Sequence, residues 1–386
     1  MHIAWIGTRA PWPARDGGRL AASSTIEALA GADARVTVIA PGGVTSGAPA
    51  TVTLSLATER RPGWAAAARV GLVRQLPLTI ARHAMPAAAE RLAQLIADDP
   101  PDVVHAEQLH ALLAARQAQA AGIPLVLRAH NVEHALWLDG AGRAGATRWV
   151  VRAEGRRLRQ YEARAVSTCD AIVALTAEDQ AALLECAPAA RVCLVPPAFP
   201  ASVEAGPPLE GSPAIVWIGS AGWHPNDEAR ALLIGNVWPA ITRRNQAARL
   251  HVFGSGPRPV ADRVLWHDPP VESRAALARN AILVLPLRRS AGIRMRVLEA
   301  WAAGVPVVGT PAALRGLPIE ANRHAIVART AAEFGEAVAA LHADPDLRQR
   351  VTAGGRALLA ARHDPGQVAR ALLDVYRTAT TFRMRR

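Results

Sequence analysis

The sequence predicts an α/β protein built from two doubly wound parallel-sheet domains in tandem. Three observations carry this expectation. Short apolar strands alternate with helical stretches almost throughout; the alternation breaks at a Pro/Gly-rich stretch just past residue 200 and then restarts; and 386 residues is too long for one ordinary domain.

In the first half, HIAWIG (2–7) leads through a Pro/Gly loop to a helix near 18–30 and then to RVTVIA (35–40). DVVHA (102–106), a helix, PLVLRA (124–129), a long helix near 147–167 and AIVALT (171–176) continue the rhythm. After CLVPPAFP, the segment ASVEAGPPLEGSP reads as a linker because Pro, Gly and small residues dominate it. AIVWIG (214–219), a helix from about 226, RLHVFG (249–254), AILVLP (281–286), a helix near 293–303 and VPVVG (305–309) form the second half. The expected organisation is a domain over 1–200, a linker over 201–213, a second domain over 214–365 and a last helix over 366–386, with the option of packing back on the first domain. In such sheets ligands bind beyond the carboxyl ends of the strands, so those loops are where chemistry is sought.

Composition narrows the function classes. Hydrophobic residues make up 51% and charged residues 20%, which suits a soluble protein with substantial cores. No run of about 18 uncharged apolar residues exists, so no transmembrane helix is expected. The opening MHIAWIG is already strand-like and has no basic leader, so a cleaved signal is not expected either. Cys169, Cys186 and Cys193 have neither metal spacing nor an even count and read as reduced thiols of a cytoplasmic protein. The formal charge is +12, and all 44 cations are arginine. That excess favours anionic partners: phosphates, nucleic acid or an acidic membrane face. With only 4% aromatics and no aromatic-basic or zinc-finger motif, nucleic acid is not expected.

Five stretches are candidates for chemistry. In GTRAPWPARDGGRL, Gly17 and Gly18 precede a helix whose free N–H groups could meet an anion, although a Gly-Gly pair also suits a plain loop. RAHNVEHAL spells the H-x-x-E-H of inverted zinc peptidases through His130, Glu133 and His134. Zinc chemistry needs both histidines one turn apart on a helix, whereas His130 directly follows a strand. A histidine at a strand's carboxyl end is therefore the preferred reading, with a zinc hydrolase kept as a remote alternative. DPD (344–346) matches the D-x-D of metal-dependent sugar transferases but falls between two helices, where Asp before Pro reads as a cap. In WIGSAGWHPNDEARALL, Gly219 and Ser220 would let backbone approach a ligand, Trp223 and His224 could stack or donate, and Asn226 is a plausible N-cap.

The richest stretch is RRSAGIRMRVLEAWAAGVPVVGTP (288–311). Ser290, Ala291, Gly292 and Ile293 stand at a helix start, where unpaired N–H groups and the helix dipole favour an anion. Arg294 and Arg296 fall in the first turns, where that dipole disfavours cations by about 0.3–1 kcal/mol each. A bound phosphate would turn the penalty into a gain. Glu299 lies one turn on, placed to accept hydrogen bonds from hydroxyls, while Arg288 and Arg289 suit solvent. A solvated arginine face is the plain alternative.

EAWAAGVPVV (299–308), RMRVLEA, WIGSAGWHPN, RAHNVEH and GTPAALRGLP together resemble the family 4 retaining glycosyltransferases of bacterial polysaccharide assembly. The resemblance runs over most of the chain and is weakest over 45–100. It implies the GT-B fold, two Rossmann-like domains facing each other across a cleft, and transfer of a sugar from a nucleotide diphosphate sugar to a glycan or lipid-linked hydroxyl acceptor. Glu299 would grip the ribose, Arg294 and Arg296 would neutralise the diphosphate, and the 290–293 backbone would contact the donor. Gly17–Gly18 would close over the site, and His130 would touch the donor sugar. No metal or other cofactor is implied. One departure stands out: the first glutamate of the family's pair should fall at 291, where this chain has Ala291, so the donor sugar is left open. Two further readings follow from the same residues: a decayed nucleotide-binding protein, or a nucleotide-sugar epimerase that needs no acceptor. Residues 59–92 mix arginines with apolar residues and Trp64, so an anionic membrane at the inner face of the plasma membrane is a further partner they allow.

Overall fold

A computed structural model describes residues 1–43, 46–141, 145–219, 221–270, 273–289 and 292–384. The chain divides into two compact units. Met1–Ala14, Gly18–Ala198 and Pro365–Arg386 form the first; Arg15–Gly17 and Phe199–Asp364 form the second.

The first unit is built on seven strands: β1 (His2–Ile6), β2 (Arg35–Pro41), β3 (Val52–Ala57), β4 (Val103–Glu107), β5 (Leu125–Ala129), β6 (Ala171–Ala174) and β7 (Val192–Leu194). They pair in the order β3-β2-β1-β4-β5-β6-β7, every neighbour parallel. Connections run through α1 (Gly17–Gly31), α2 (Trp64–Val73), α3 (Leu78–Arg82), α4 (Pro86–Asp98), α5 (Leu112–Ala115), α6 (Gln117–Ala120), α7 (Glu133–Ala141), α8 (Arg148–Thr168) and α9 (Ala177–Cys186). The apolar run of β1 is continuous because both faces of the sheet are covered. Its side chains alternate. Ala4 and Ile6 join a core with Ile80, Leu92, Leu158 and Leu127. Ile3 and Trp5 join another with Ile26, Leu29, Val126 and Val173.

The second unit repeats the plan with six strands: β8 (Ala214–Ile218), β9 (Arg249–Phe253), β10 (Val264–His267), β11 (Ala281–Leu285), β12 (Val307–Gly309) and β13 (Ile326–Val327). Their order is β10-β9-β8-β11-β12-β13, again parallel. Its helices are α10 (His224–Leu232), α11 (Trp238–Arg244), α12 (Met295–Ala303), α13 (Ala331–Ala343) and α14 (Pro345–His363). Trp217, Leu250, Ile282 and Val308 pack with Leu233, Val237, Phe334 and Val338. The final helix, α15 (Pro365–Met384), belongs to the first unit, where Val368, Leu372, Tyr376 and Ala379 enter the core that contains Trp5.

Local signals explain the helix ends. Asp344 accepts a hydrogen bond from the Leu347 amide at 2.9 Å, and Pro345 opens α14, so DPD is a helix start. Gly304 ends α12 in the left-handed region at φ 73°. In each sheet the strand order reverses beside the first strand, between β1 and β4 and between β8 and β11. That reversal opens a crevice at the carboxyl ends of the strands.

Candidate functional site

In the second unit, the loops after β8 and β11 flank the reversal point. Gly254, after β9, has room for no side chain: a methyl there would sit 1.9 Å from the carbonyl oxygen of Gly219. Gly219 itself could not carry a methyl without meeting the Trp217 ring at 2.5 Å. These two glycines let the β8 loop lie flat against its neighbour. Gly222 turns the chain at φ 86°, and its amide donates to Asp227 at 3.2 Å. Asn226 was expected to cap the next helix. The helix instead opens at His224 with Trp223 as the cap residue, since Pro225 is tolerated in a first turn and nothing there requires the later start.

The loop after β11 delivers Arg294 and Arg296 to the head of α12. Gly292 adopts φ 61°, which turns the chain into the helix. Arg294 occupies the N-cap position with an extended backbone and no side-chain cap, so the helix's first N–H groups are not covered by that side chain. Its guanidinium lies 5.0 Å from the Trp223 ring centroid, a cation–π contact that ties the two loops together. Burial pulls the Arg294 guanidinium down to about 10. Arg296 donates from Nη1 to Glu299 Oε2 at 2.8 Å. Burial raises the Glu299 carboxyl, and the Arg296 charge and hydrogen bond work against that rise. Arg288 is exposed and lies 3.6 Å from Glu228. The structure thus brings Trp223, Arg294, Arg296 and Glu299 together at one helix start. Ser220, Ser290 and Ala291 lie outside the described residues.

The first unit holds His130 at the carboxyl edge of its sheet. His130 Nε2 donates to Glu107 Oε1 at 2.6 Å, and the Gln108 amide nitrogen donates to His130 Nδ1 at 3.3 Å. Arg128 donates to the same Glu107 oxygen at 3.0 Å. Glu107 Oε2 accepts from His105 Nε2 at 3.0 Å, and the Tyr376 hydroxyl donates to His105 Nδ1 at 2.8 Å. Trp5 stacks on His105 with ring centroids 3.7 Å apart. Burial works to raise the Glu107 carboxyl, but Arg128, His130 and His105 outweigh it and hold the group well below its ordinary value. Burial lowers His105, which suits a neutral ring donating through Nε2 and accepting at Nδ1. Gly17 and Gly18 open α1, downstream of β1.

His130 and His134 do not share a ligand. His134 donates from Nδ1 to Glu162 at 2.6 Å, while His130 is held by Glu107, and α7 begins only at Glu133. The H-x-x-E-H stretch is therefore strand end, turn and helix start. Glu107, His105, Arg128, Gln108 and Tyr376 were not among the sequence candidates. The one local hint was HAEQ, which puts a carboxylate at the end of an apolar strand.

Comparison with known proteins agrees over both halves. Residues 16–198 match the family model "Glycosyl transferase 4-like domain", and residues 212–344 match "Glycosyl transferases group 1". No curated protein shows a significant match. Among solved structures, a sucrose-phosphate synthase from Thermosynechococcus elongatus superposes with a TM-score of 0.71 at 15% identity, covering 98% of each chain. Anabaena HepE, solved with UDP and glucose, gives 0.65 at 13% identity, covering 97% of this chain and 98% of its own. The glycotransferase of kitacinnamycin gives 0.58 at 19% identity, covering 97% of this chain and 98% of its own. At these identities the likeness shows the fold.

Proposed function

From the premise that this chain belongs to the GT-B glycosyltransferases, we propose that it moves a sugar from a nucleotide diphosphate sugar to a hydroxyl acceptor with retention of anomeric configuration. One observation carries the donor reading: two arginines and a buried glutamate converge on the start of α12, where helix N–H groups favour an anion. In this reading Arg294 and Arg296 hold the diphosphate and Glu299 takes the ribose hydroxyls. Arginine's planar fork can bond Glu299 and still offer further N–H groups to phosphate oxygens. The bond between the anomeric carbon and the diphosphate oxygen breaks, and the pair of electrons leaves with the diphosphate. The acceptor oxygen bonds to the same carbon, and its proton passes to the departing phosphate. Positive charge fixed at the leaving group before reaction carries much of the rate.

In the same reading Gly219, Ser220, Trp223, Ser290, Ala291, Gly292 and Ile293 are assigned to donor contacts, and Gly17 and Gly18 to the loop that closes on the donor. His130 is assigned to the donor sugar. Its bond to Gln108 is the longer of its two, so a sugar hydroxyl would take the place of Gln108 while Glu107 keeps the ring in place. No metal is needed for this reading, because the arginines supply the positive charge. The acceptor is read as a glycan or lipid-linked saccharide. Exposed Trp64, Leu72 and Val73 on α2, with Arg69 and Arg74 beside them, supply a surface suited to an anionic membrane at the inner face of the plasma membrane. Among the described residues no helix is long and apolar enough to cross a membrane.

The test is a thermal-shift screen with UDP, GDP and ADP, followed by release assays on the sugars of the stabilising nucleotide. Binding and release in the presence of an acceptor support the reading, and no response to any nucleotide removes it. An inverted anomer, seen by NMR of the product, would remove retention alone. Ala291 favours a second reading, a nucleotide-binding protein without turnover, which binding without release would establish. Donor breakdown that needs no acceptor would mark the epimerase alternative.

A further inference from the structure

The amino-terminal edge of the second sheet carries a cavity that the donor reading does not use. Three segments distant in sequence meet there: the end of the linker at Gly211, Ser212 and Pro213, the approach to β11 at Arg279 and Asn280, and the corner between α13 and α14. Pro213 directly precedes β8 and Asn280 directly precedes β11. The cavity therefore opens at the ends of these strands opposite to the ones that deliver the donor loops. Its volume is about 340 Å³, within the range of about 300–1,000 Å³ for small-molecule sites.

Its walls are fixed by bonds and close contacts. The Asn280 amide nitrogen donates to the Leu209 carbonyl oxygen at 2.7 Å, and Asn280 Oδ1 accepts from the Leu209 amide at 3.0 Å, so the linker is clamped to the approach of β11. Gly211 lies at φ 105°, and a methyl there would stand 2.7 Å from the Arg249 backbone nitrogen, which brings the linker flat against β9. On the far side, Asp344 caps α14 through the Leu347 amide and sets Pro345 on the cavity wall. Buried Leu341 and Pro213 give that wall an apolar part.

The charged side chains on the wall are all cationic or basic: Arg279, His342 and Arg348 line it, and no lining residue is acidic. Arg348 donates from Nη2 to the carbonyl oxygens of Arg279 and Ala281, each at 2.9 Å, so the backbone entering β11 holds its guanidinium in place. Nε and Nη1 of Arg348 bond nothing among the described residues, and neither do the side chains of Arg279, His342 and Ser212. Arg348 is half-buried while Arg279 and His342 are exposed, so a dissolved ligand reaches all three. Burial lowers the Arg348 guanidinium, as it does for a cation that no carboxylate offsets. A solvated arginine face would let its charges spread apart, but two carbonyls anchor Arg348 beside the backbone of Arg279. A phosphoryl group offers several acceptors to such donors at once. It fills only part of the space, leaving room for a small organic body against Leu341, Pro213 and Pro345.

We propose that this cavity binds a small phosphate ester, with Arg279, His342 and Arg348 around the phosphoryl group and Ser212 offering a hydroxyl. The site lies wholly within the second unit and does not depend on the glycosyl-transfer reading.

Calorimetric titration of glycerol phosphate into the full chain tests it, with inorganic phosphate and glycerol in parallel. Glycerol phosphate should bind, inorganic phosphate should bind more weakly, and glycerol should give no event. Arg279→Glu changes an exposed side chain that bonds nothing among the described residues, so it should keep the wild-type melting temperature and lose the event. Arg279→Lys, which retains the charge, should keep part of the affinity. Arg348→Ala should weaken binding about 10- to 100-fold, the scale of a lost charge-assisted hydrogen bond. R294A/R296A should keep the event, which separates this site from the donor site. Absence of binding in the wild type overturns the proposal, as does binding that survives Arg279→Glu unchanged. Glycerol that binds as well as its phosphate removes the phosphoryl assignment, and an event lost in R294A/R296A would belong to the donor site instead.

Discussion

Glu107 Oε1 accepts from both His130 Nε2 at 2.6 Å and Arg128 Nη1 at 3.0 Å, so one buried oxygen sets the direction of the histidine and neutralises the arginine. Glu107→Gln keeps the shape but removes the charge. The amide carries no charge to balance Arg128, which is fully buried, and its NH2 group must face one of the N–H donors that the carboxylate now accepts from, on His130, Arg128 or His105. We expect kcat to fall about 10- to 100-fold with the donor KM little changed, the range for loss of an orienting partner. Urea unfolding should also show a loss of roughly 3–5 kcal/mol, because one partner of a buried ion pair is gone. Normal turnover in a stable Glu107→Gln protein would strip His130 of its proposed role. Tyr376→Phe, at the far end of the same chain of bonds, should cost only about 0.5–1.5 kcal/mol.

Arg296 is bonded to Glu299 at 2.8 Å, and the two are assigned to the phosphate and ribose of one ligand. Arg296→Ala should cut kcat by roughly 10²–10³, as for a lost preorganised donor. It also leaves the buried Glu299 carboxyl without the charge that opposes its upward shift, so nucleotide affinity should become steeper in pH. Arg296→Lys restores the charge but not the fork and should recover only part of the rate. Turnover near wild type in Arg296→Ala would sink the donor assignment.

A methyl at position 254 would stand 1.9 Å from the Gly219 carbonyl oxygen, inside any possible contact. Gly254→Ala must therefore push the β8 loop aside. The expected cost is about 1–3 kcal/mol of stability, as for overpacking, together with weaker nucleotide binding. Gly235→Ala is the control, since a methyl there meets nothing within 4 Å. Equal melting temperatures and equal nucleotide affinities for the two variants would show that the close approach of the loops has no bearing on the site.

The parallel sheets were legible because strands buried on both faces read as unbroken apolar runs, as in β1 and β11. The contact between Arg296 and Glu299 was legible because helical spacing places positions three apart on one face. The His130 network was not. Glu107 and Arg128 come from different strands 21 residues apart, and Tyr376 reaches His105 across 271 residues from the last helix. Nothing in local spacing announces such partners, since only the strand order brings them together. The early start of α10 escaped for another reason: cap preference pointed to Asn226, while the backbone accepted Trp223.

Acid should weaken this fold earlier than carboxylate titration alone would. Burial lowers His110 from 6.5 to about 3, and His105 and His83 shift in the same direction. A group whose folded value is depressed stabilises the fold above its unfolded value. As pH falls below about 6.5 the unfolded chain takes up the proton and the folded chain does not, so stability drops by up to about 1.4 kcal/mol per pH unit for each such histidine. For His110 the loss runs from about 6.5 down to about 3. Glu107, also depressed, adds its own loss only below its ordinary value of 4.5. Urea midpoints at pH 7.5, 6.5 and 5.5 should therefore decline, and His110→Gln, which can still bond the Thr79 hydroxyl as His110 does, should decline less steeply. Parallel slopes for the two proteins would mean that the folded His110 ring takes up its proton as readily as the unfolded one.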